Sequence, residues 1–404
     1  MDRPPLTWSR LFRQDARLLL CRLLRTASPS GDEGEIGHLL RDWFQKMGVP
    51  VRMQRVRRNT ANVIAHVGTG LPQLLLVTHL DTVVPDASHW RVTQPHQPLV
   101  RGGRVYGVGA CDAKGIVVAF ALALLHLRDT VGRQRRGSVL GGFVVEEETA
   151  GTGSQLLASS LTDVRDTMAV VGEPTGLRRV SLGSRGNAFV KLTVEGSERH
   201  GAYAADNADP LRVMPALAKW TSEVRRRYSD HSFVPSVSIT SLAAGVDALQ
   251  GRLHVRSPNT APGSLEMTLD IRTSPILEDG GFRLLRQELQ ALARSLAPLK
   301  ISVTFVVPPI PGQSIDASHP LVQATCRSVQ AVTGRKPALD VAVGANDATF
   351  FAQRGIPTLN EVGPGDDARI HRGDEFTTLD EVLRGAEMYA LLAADVLGTS
   401  PSTP

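Results

Sequence analysis

The chain has 404 residues, 42% of them hydrophobic and 21% charged, with a formal net charge of +5. That length exceeds one ordinary core and predicts two domains, while the composition excludes a disordered or fibrous chain. The basic clusters Arg55-Val56-Arg57-Arg58, Arg133-Gln134-Arg135-Arg136 and Arg225-Arg226-Arg227 lack interleaved aromatic or glycine residues, so they read as solvated faces and not as a nucleic-acid surface.

In chain order, the pattern predicts an amphipathic helix over Leu18 to Leu24, a turn at Ser28-Pro29-Ser30-Gly31, and a second helix over Ile36 to Met47 ended by Gly48. Strands are predicted at Asn62 to Val67, Leu74 to Thr78 and Val139 to Val145. Between the last two, Ala113 to Leu127 is apolar nearly all round and reads as a buried helix. This alternation predicts a layered α/β domain with a largely parallel sheet. After Glu173-Pro174-Thr175 the texture changes. Strands at Ala188 to Val194, Val237 to Leu242 and Leu265 to Ile271, with helices at Pro210 to Tyr228 and Phe282 to Leu296, predict an inserted α+β domain. The expected boundaries are 1–181 and 298–404 for a split catalytic domain and 182–297 for the insertion.

Arginines and Asp15 interrupt the first apolar stretch, so no signal peptide is expected. Nor does any run of about 18 apolar residues predict a membrane span. Cys21, Cys111 and Cys326 are too scattered for a disulfide framework and fit a reducing compartment. The expected location is the cytoplasm.

The candidate chemistry lies in an ordered set: His79-x-Asp81, Asp112, the pair Glu147 and Glu148, Glu173 and His371. Each ends an apolar strand-like run or lies on the loop beyond one. Imidazole and carboxylate donors on adjacent loops are what a borderline metal pair takes, and one Glu left uncoordinated is what metal-assisted hydrolysis needs. The set therefore reads as a hydrolase with two metals, zinc above others. Blander readings stand beside each residue. His79-x-Asp81 alone fits a surface loop, although Asp81 is also placed to accept the second ring N–H of His79. Asp112 falls where an N-cap belongs, or bridges two metals. Glu146, Glu147 and Glu148 could be a solvated acidic loop. Adjacent carboxylates after so apolar a strand instead call for a cation, with one ligating and its neighbour free as general base. Cys111 reads as packing, since a thiolate is a soft donor in this set.

These segments resemble the family of dinuclear zinc amidohydrolases and peptidases that contains acetylornithine deacetylase, succinyl-diaminopimelate desuccinylase and glutamate carboxypeptidase. The resemblance spans nearly the whole chain, with the ligand positions in the family's order. It implies that His79, Asp112 and Glu173 hold one metal and Asp112, Glu148 and His371 the other. Glu147 is then the general base and Asp81 the residue that orients His79. Glu at position 173 leans away from the aminopeptidases of the family. The middle segment, with Gly183-Ser184-Arg185-Gly186-Asn187 and Glu198-Arg199-His200-Gly201, is similar to the family's lid and dimerisation domain. The resemblance implies that His200 stabilises the oxyanion in the partner's site, and that Asn259, Arg272 and Arg185 contact substrate. A loop histidine and a lid salt bridge remain the alternatives for His200 and Arg272. Arg372 after His371, and the longer connection over Gln250 to Val255, depart from the family pattern where substrate is selected.

The resulting expectation is a homodimeric, zinc-dependent (or cobalt-dependent) amidohydrolase of amino-acid biosynthesis, with two divalent metals per subunit. It would release an acetyl or succinyl group from an N-acyl amino acid. A carboxypeptidase or dipeptidase of the same family is the alternative, and a non-catalytic metal-stabilised binding protein the alternative from another class. No nucleic-acid or membrane partner is expected.

Overall fold

A computed structural model describes residues 10–131, 137–203, 208–230, 232–249, 252–255 and 257–398. The chain divides into two compact units. One is built from the described residues up to Gly183, from Ser314–Ala342, and from Asn346 onward; the other holds Ser184–Gln313 with Val343–Ala345.

The first unit is a mixed α/β structure around a six-stranded sheet. The strand order is Val51–Arg55, Ala61–Thr69, Gly137–Val144, Pro72–His79, Met168–Val171 and Thr358–Leu359. The last four strands run parallel to one another, and the first two pair antiparallel. Strand alternation divides the apolar residues between two faces. Val63, Ala65, Leu74 and Leu76 join the larger core, while Ile64, Leu75 and Val77 pack with Leu157, Ala348 and Phe351 on the other side. The helix Lys114–Val131 is apolar all round because it is covered all round. It packs on the sheet, on Arg10–Arg25 and on Leu379–Val396. Both sheet faces are buried, as crossover helices require.

Parallel strands bring their carboxyl ends to one edge, which is where such sheets carry their sites. His79 ends one strand, Glu146 to Glu148 follow the next, and Glu173 lies two residues past a third. A smaller sheet adds the other side. Phe376–Thr378 pairs antiparallel with Arg104–Tyr106, Phe376 opposite Tyr106, so the loops of His371 and Asp112 leave the same end of that ladder.

The second unit has a four-stranded antiparallel sheet, ordered Ser236–Ala244, Ser264–Arg272, Asn187–Glu195, Lys300–Phe305. Helices Val213–Tyr228 and Asp279–Ser295 contribute Leu217, Trp220, Leu285 and Leu289 to its core, against Ala188, Val190, Leu192 and Val194. The boundary expected at 297 lies farther along. The strand Lys300–Phe305 pairs with Asn187–Glu195 and packs Ile301, Val303 and Phe305 on this second core. The unit therefore continues to Gln313. Among the described residues, no helix is long and apolar enough to cross a membrane.

One close contact supports the acidic turn after Val144. A Cβ at Gly153 would fall 2.5 Å from Asn62 Oδ1 and 2.6 Å from both the amide and the carbonyl oxygen of Val145. Asn62 bonds both neighbours, its Nδ2 donating to the Gly153 carbonyl at 2.8 Å and its Oδ1 accepting from the Val145 amide at 3.2 Å. Two of the three obstructing atoms are backbone and cannot swing aside. Gly153→Ala should therefore cost about 1–3 kcal/mol, the usual range for overpacking. Denaturant unfolding measures this, and a neutral result would mean that the helix Thr152–Ser160 shifts freely on the strand.

Candidate metal centre

The strand edge brings His79, Asp112, Glu173, Glu148 and His371 together. Two sets of potential ligand atoms result, His79 with Asp112 and Glu173, and Asp112 with Glu148 and His371, each within 4.8 Å. Asp112 belongs to both. Its Oδ1 is 3.0 Å from His79 Nε2, and its Oδ2 is 3.2 Å from His371 Nε2. His79 Nε2 is also 3.9 Å from Glu173 Oε1, and His371 Nε2 is 3.0 Å from Glu148 Oε1. Ligands of one tetrahedral ion with bonds of about 2.0 Å stand about 3.3 Å apart, so these separations fit a shared ion in each set. Glu173 Oε1 is buried without a hydrogen-bond partner, as an oxygen reserved for a cation would be. The imidazole and carboxylate donors suit zinc and its borderline neighbours. Cys111 belongs to neither set; its buried sulfur accepts from the Asp366 amide at 3.0 Å, and burial raises its pKa.

His79 is fixed by an interaction that differs from the expected one. Its Nδ1 lies 2.9 Å from the main-chain carbonyl of Asp81 and 3.5 Å from the carboxylate. The carbonyl therefore takes the Nδ1 proton, which leaves Nε2, the nitrogen facing Asp112, to meet a metal or, without one, to carry the second proton. The Asp81 carboxylate is turned to the acidic turn. Oδ1 accepts from the Glu147 amide and Oδ2 from the Glu148 amide, both at 3.1 Å, and Ser30 Oγ donates to Oδ2 at 2.7 Å. Glu33 performs a similar task one residue earlier, accepting the Glu146 amide at 3.0 Å. Glu146 has φ 62° and His371 φ 55°, left-handed conformations that typically cost about 1–3 kcal/mol in a residue with a side chain. Both sit where a ligand-bearing loop must turn sharply.

The electrostatics follow from so many acids in one place. Burial first, then the charges of Asp347, Glu148 and Asp81, raises Glu147 well above the usual carboxyl range despite the opposing pull of His79. Burial and the charges of Asp112, Glu147 and Glu361 do the same to Glu173. Burial opposes His79, but hydrogen bonds to Asp112 and Asp81 raise it well above ordinary imidazole. Hydrogen bonds to Asp112 and Glu148 raise His371 to about 10. Asp112 is held low against its own burial by the same two histidines.

Sequence patterns did not single out Ser30, Glu33, Asp347 or Glu375. Ser30 lies in the Ser28-Pro29-Ser30-Gly31 turn, which reads only as a break, and Glu33 lies two residues beyond it. Asp347 is 2% exposed and raises Glu147 by its charge. Its only signal is an acid next to an apolar helix start.

The remaining expected site residues lie in the second unit, where two pairs form. His200 pairs in register with Thr260, and its Nε2 is 3.5 Å from Asn259 Nδ2. Arg272 is ion-paired with Asp270, its Nε 2.9 Å from Oδ1, and it donates one hydrogen bond to Oδ2 at 3.0 Å. Arg185 donates to the carbonyl oxygens of Val234 at 2.6 Å and Val343 at 3.2 Å; burial, then the nearby Arg272 charge, lowers its pKa.

With this geometry in place, the class is defined. Residues 75–395 match the family model of peptidase family M20/M25/M40, and the chain belongs to that family. It is accordingly a metal-dependent hydrolase acting on amide bonds. Over 363 residues it is 27% identical to the acetylornithine deacetylase of Aliivibrio salmonicida, covering 89% of this chain and 91% of that one. Its fold is similar to that of the M20 metallo-carboxypeptidase Sso-CP2 from Sulfolobus solfataricus, with TM-score 0.71 and 17% identity, covering 95% and 99% of the two chains. It is also similar to that of the Bacillus subtilis YXEP protein, a dinuclear metal-binding peptidase of the M20 family, with TM-score 0.67, 17% identity and coverage of 97% and 100%.

The acid crowd has a measurable consequence in metal-free protein. Burial raises Glu33 and Asp347 to about 7, and Glu147 and Glu173 are raised as well. The folded chain thus binds these protons more tightly than the unfolded chain. The stability they contribute is complete below the ordinary carboxyl pKa and is lost as pH climbs toward 7. Raised His79 and His371 act in the same direction above the ordinary imidazole value, while lowered His66, His96 and His126 oppose below it. Metal-stripped protein should therefore melt at a lower temperature at about pH 7 than at about pH 5, and saturating divalent metal should flatten that slope. Scanning calorimetry at both pH values decides it, and a melting temperature that rises without metal would contradict the assignment.

Proposed function

We propose that this enzyme removes an acetyl or succinyl group from an N-acylated amino acid, as a cytoplasmic homodimer in amino-acid biosynthesis, with two zinc ions per subunit or cobalt in their place. The observation that carries the reading is the division of the Asp112 carboxylate between His79 and His371. His79, Asp112 and Glu173 would hold one ion, and Asp112, Glu148 and His371 the other. Such ions, when bound, polarise a carbonyl oxygen and make a water acidic enough to deprotonate near neutral pH. Glu147 takes that proton and returns it to the departing amine. Its raised proton affinity suits both halves of the task, and the Asp81 carboxylate fixes its backbone. Asp81 also keeps His79 in the tautomer that faces Asp112. The likeness to acetylornithine deacetylase in sequence favours acyl-group release over peptide cleavage. A carboxypeptidase or dipeptidase activity is the second reading, favoured by the metallo-carboxypeptidase likeness in fold.

A panel of N-acetyl amino acids, N-succinyl amino acids and dipeptides, followed by amine release, tests the substrate class. Release should stop on chelation and return with added zinc. Glu147→Ala should reduce turnover by about 100- to 10,000-fold, the worth of a general base, with metal content unchanged. Glu148→Ala should lose metal too. An exchange of the two phenotypes would place the base at position 148.

We further propose that the second unit acts as lid and dimerisation domain, that His200 donates a hydrogen bond to the carbonyl oxygen in the partner's site, and that Asn259, Arg272 and Arg185 bind substrate. A donor that arrives only on closure stabilises developing charge without exposing the site to water. His200→Ala should lower turnover by about 100-fold or more, the cost of a lost oxyanion donor. Mixed dimers of His200→Ala with Glu147→Ala should regain part of the activity. A verified mixed dimer without recovery would confine His200 to its own chain.

A further inference from the structure

Glu375 enters neither set of metal-ligand atoms, yet it is 4% exposed and its carboxylate is fully engaged. Oε1 accepts from the Cys111 amide at 2.7 Å and from the Asp112 amide at 3.0 Å, and Oε2 accepts from the Gly109 amide at 2.9 Å. Its own carbonyl accepts the Gly107 amide at 3.1 Å. Four main-chain donors of one turn, Gly107 to Asp112, thus converge on one residue. That residue lies four positions after His371 and just before the Phe376–Thr378 strand, which is paired with Arg104–Tyr106. The turn that carries Asp112 and the loop that carries His371 are joined through it.

The chemistry of the grip demands a carboxylate. Both oxygens must accept, and an ionised acid is the side chain that offers acceptors on both arms. A glutamine of the same size would aim its NH2 at an amide N–H on one arm. A group that only filled space would tolerate that exchange, because the volumes match. A group that holds the turn would not.

We propose that Glu375 is a positioning residue that sets the turn presenting Asp112 and locks it to the His371 loop, so that the two metal positions are formed together. The inference rests on the reading of the Asp112-centred groups as a metal centre. Partners one step removed from the ligands typically govern metal affinity by about 10- to 100-fold.

The test is Co2+ titration of metal-stripped protein, followed by visible absorbance, for wild type, Glu375→Gln, Glu375→Asp and Asp112→Ala, with circular dichroism to verify folding. Glu375→Gln should be folded and bind Co2+ about 10- to 100-fold more weakly, with excess metal restoring most of its turnover. Glu375→Asp keeps the charge but withdraws both oxygens by one methylene, and should show the same weakening. Wild-type Co2+ affinity in folded Glu375→Gln, with loss in Asp112→Ala, would overturn the positioning role and leave the metal centre intact. Wild-type affinity in Asp112→Ala would overturn the metal centre itself. Failure of both Glu375 variants to fold, while Asp112→Ala folds, would make Glu375 a residue of folding and also overturn the proposal.

Discussion

The structure turns on one buried carboxylate that must be shared. Asp112 is 7% exposed and touches an imidazole on each oxygen, one from a strand end and one from a distant loop. Around it stand Glu147, Glu148, Glu173 and Asp81, at an edge built from apolar strands. Such a group of acids repels itself and sheds its hydration poorly, so charge must be compensated or neutralised. Without cations the compensation falls to protons, which is why Glu147 and Glu173 hold theirs so firmly and both histidines are raised. Divalent cations would relieve all of these at once. The same repulsion that destabilises the metal-free centre is thus the source of its affinity for metal.

Holding like charges together needs restraint from outside the ligand set, and three acids provide it through backbone amides. Asp81 grips the amides of Glu147 and Glu148, Glu33 grips that of Glu146, and Glu375 grips the turn before Asp112. None of these bonds opposes a charge with a charge. Each ties a loop to a rigid element through main-chain donors, so the ligands are aimed before a metal arrives. Left-handed backbone at Glu146 and His371 is tolerated because the surrounding bonds determine it.

The parts legible in the sequence were those with a periodic or chemical signature. Leu74 to Thr78, then His79, announced a strand end bearing a donor. Phe143 to Val145, then three glutamates, announced another. The helix after Asp112 was apolar on every face because it lies between a sheet and two helices. What escaped had no such mark. Ile301, Val303 and Phe305 alternate as in any half-buried strand, and nothing in that alternation says which sheet the strand joins. Glu33 and Glu375 escaped because their partners are amide N–H groups, which nearly every residue possesses. An acid that binds backbone leaves no spacing rule, and only the fold exposes it. The same reason hid the Asp81 carbonyl, which takes the His79 proton expected at the carboxylate.

The second unit treats its two candidate substrate arginines differently. Arg272 is paired on two atoms with Asp270, so its charge is largely answered within the chain. Arg185 donates to the Val234 and Val343 carbonyls, which orient the guanidinium without neutralising it. Arg185, Arg272 and Asp270 together keep one net positive charge, and burial and the Arg272 charge act against the cation at Arg185. An arriving carboxylate would thus be drawn to the cluster as a whole. For Arg272 it would compete with Asp270 and gain little, whereas for Arg185 it would supply the missing counter-charge without breaking an ion pair. If these arginines bind substrate as proposed, an anion would meet Arg185 first, with Arg272 held beside it by Asp270.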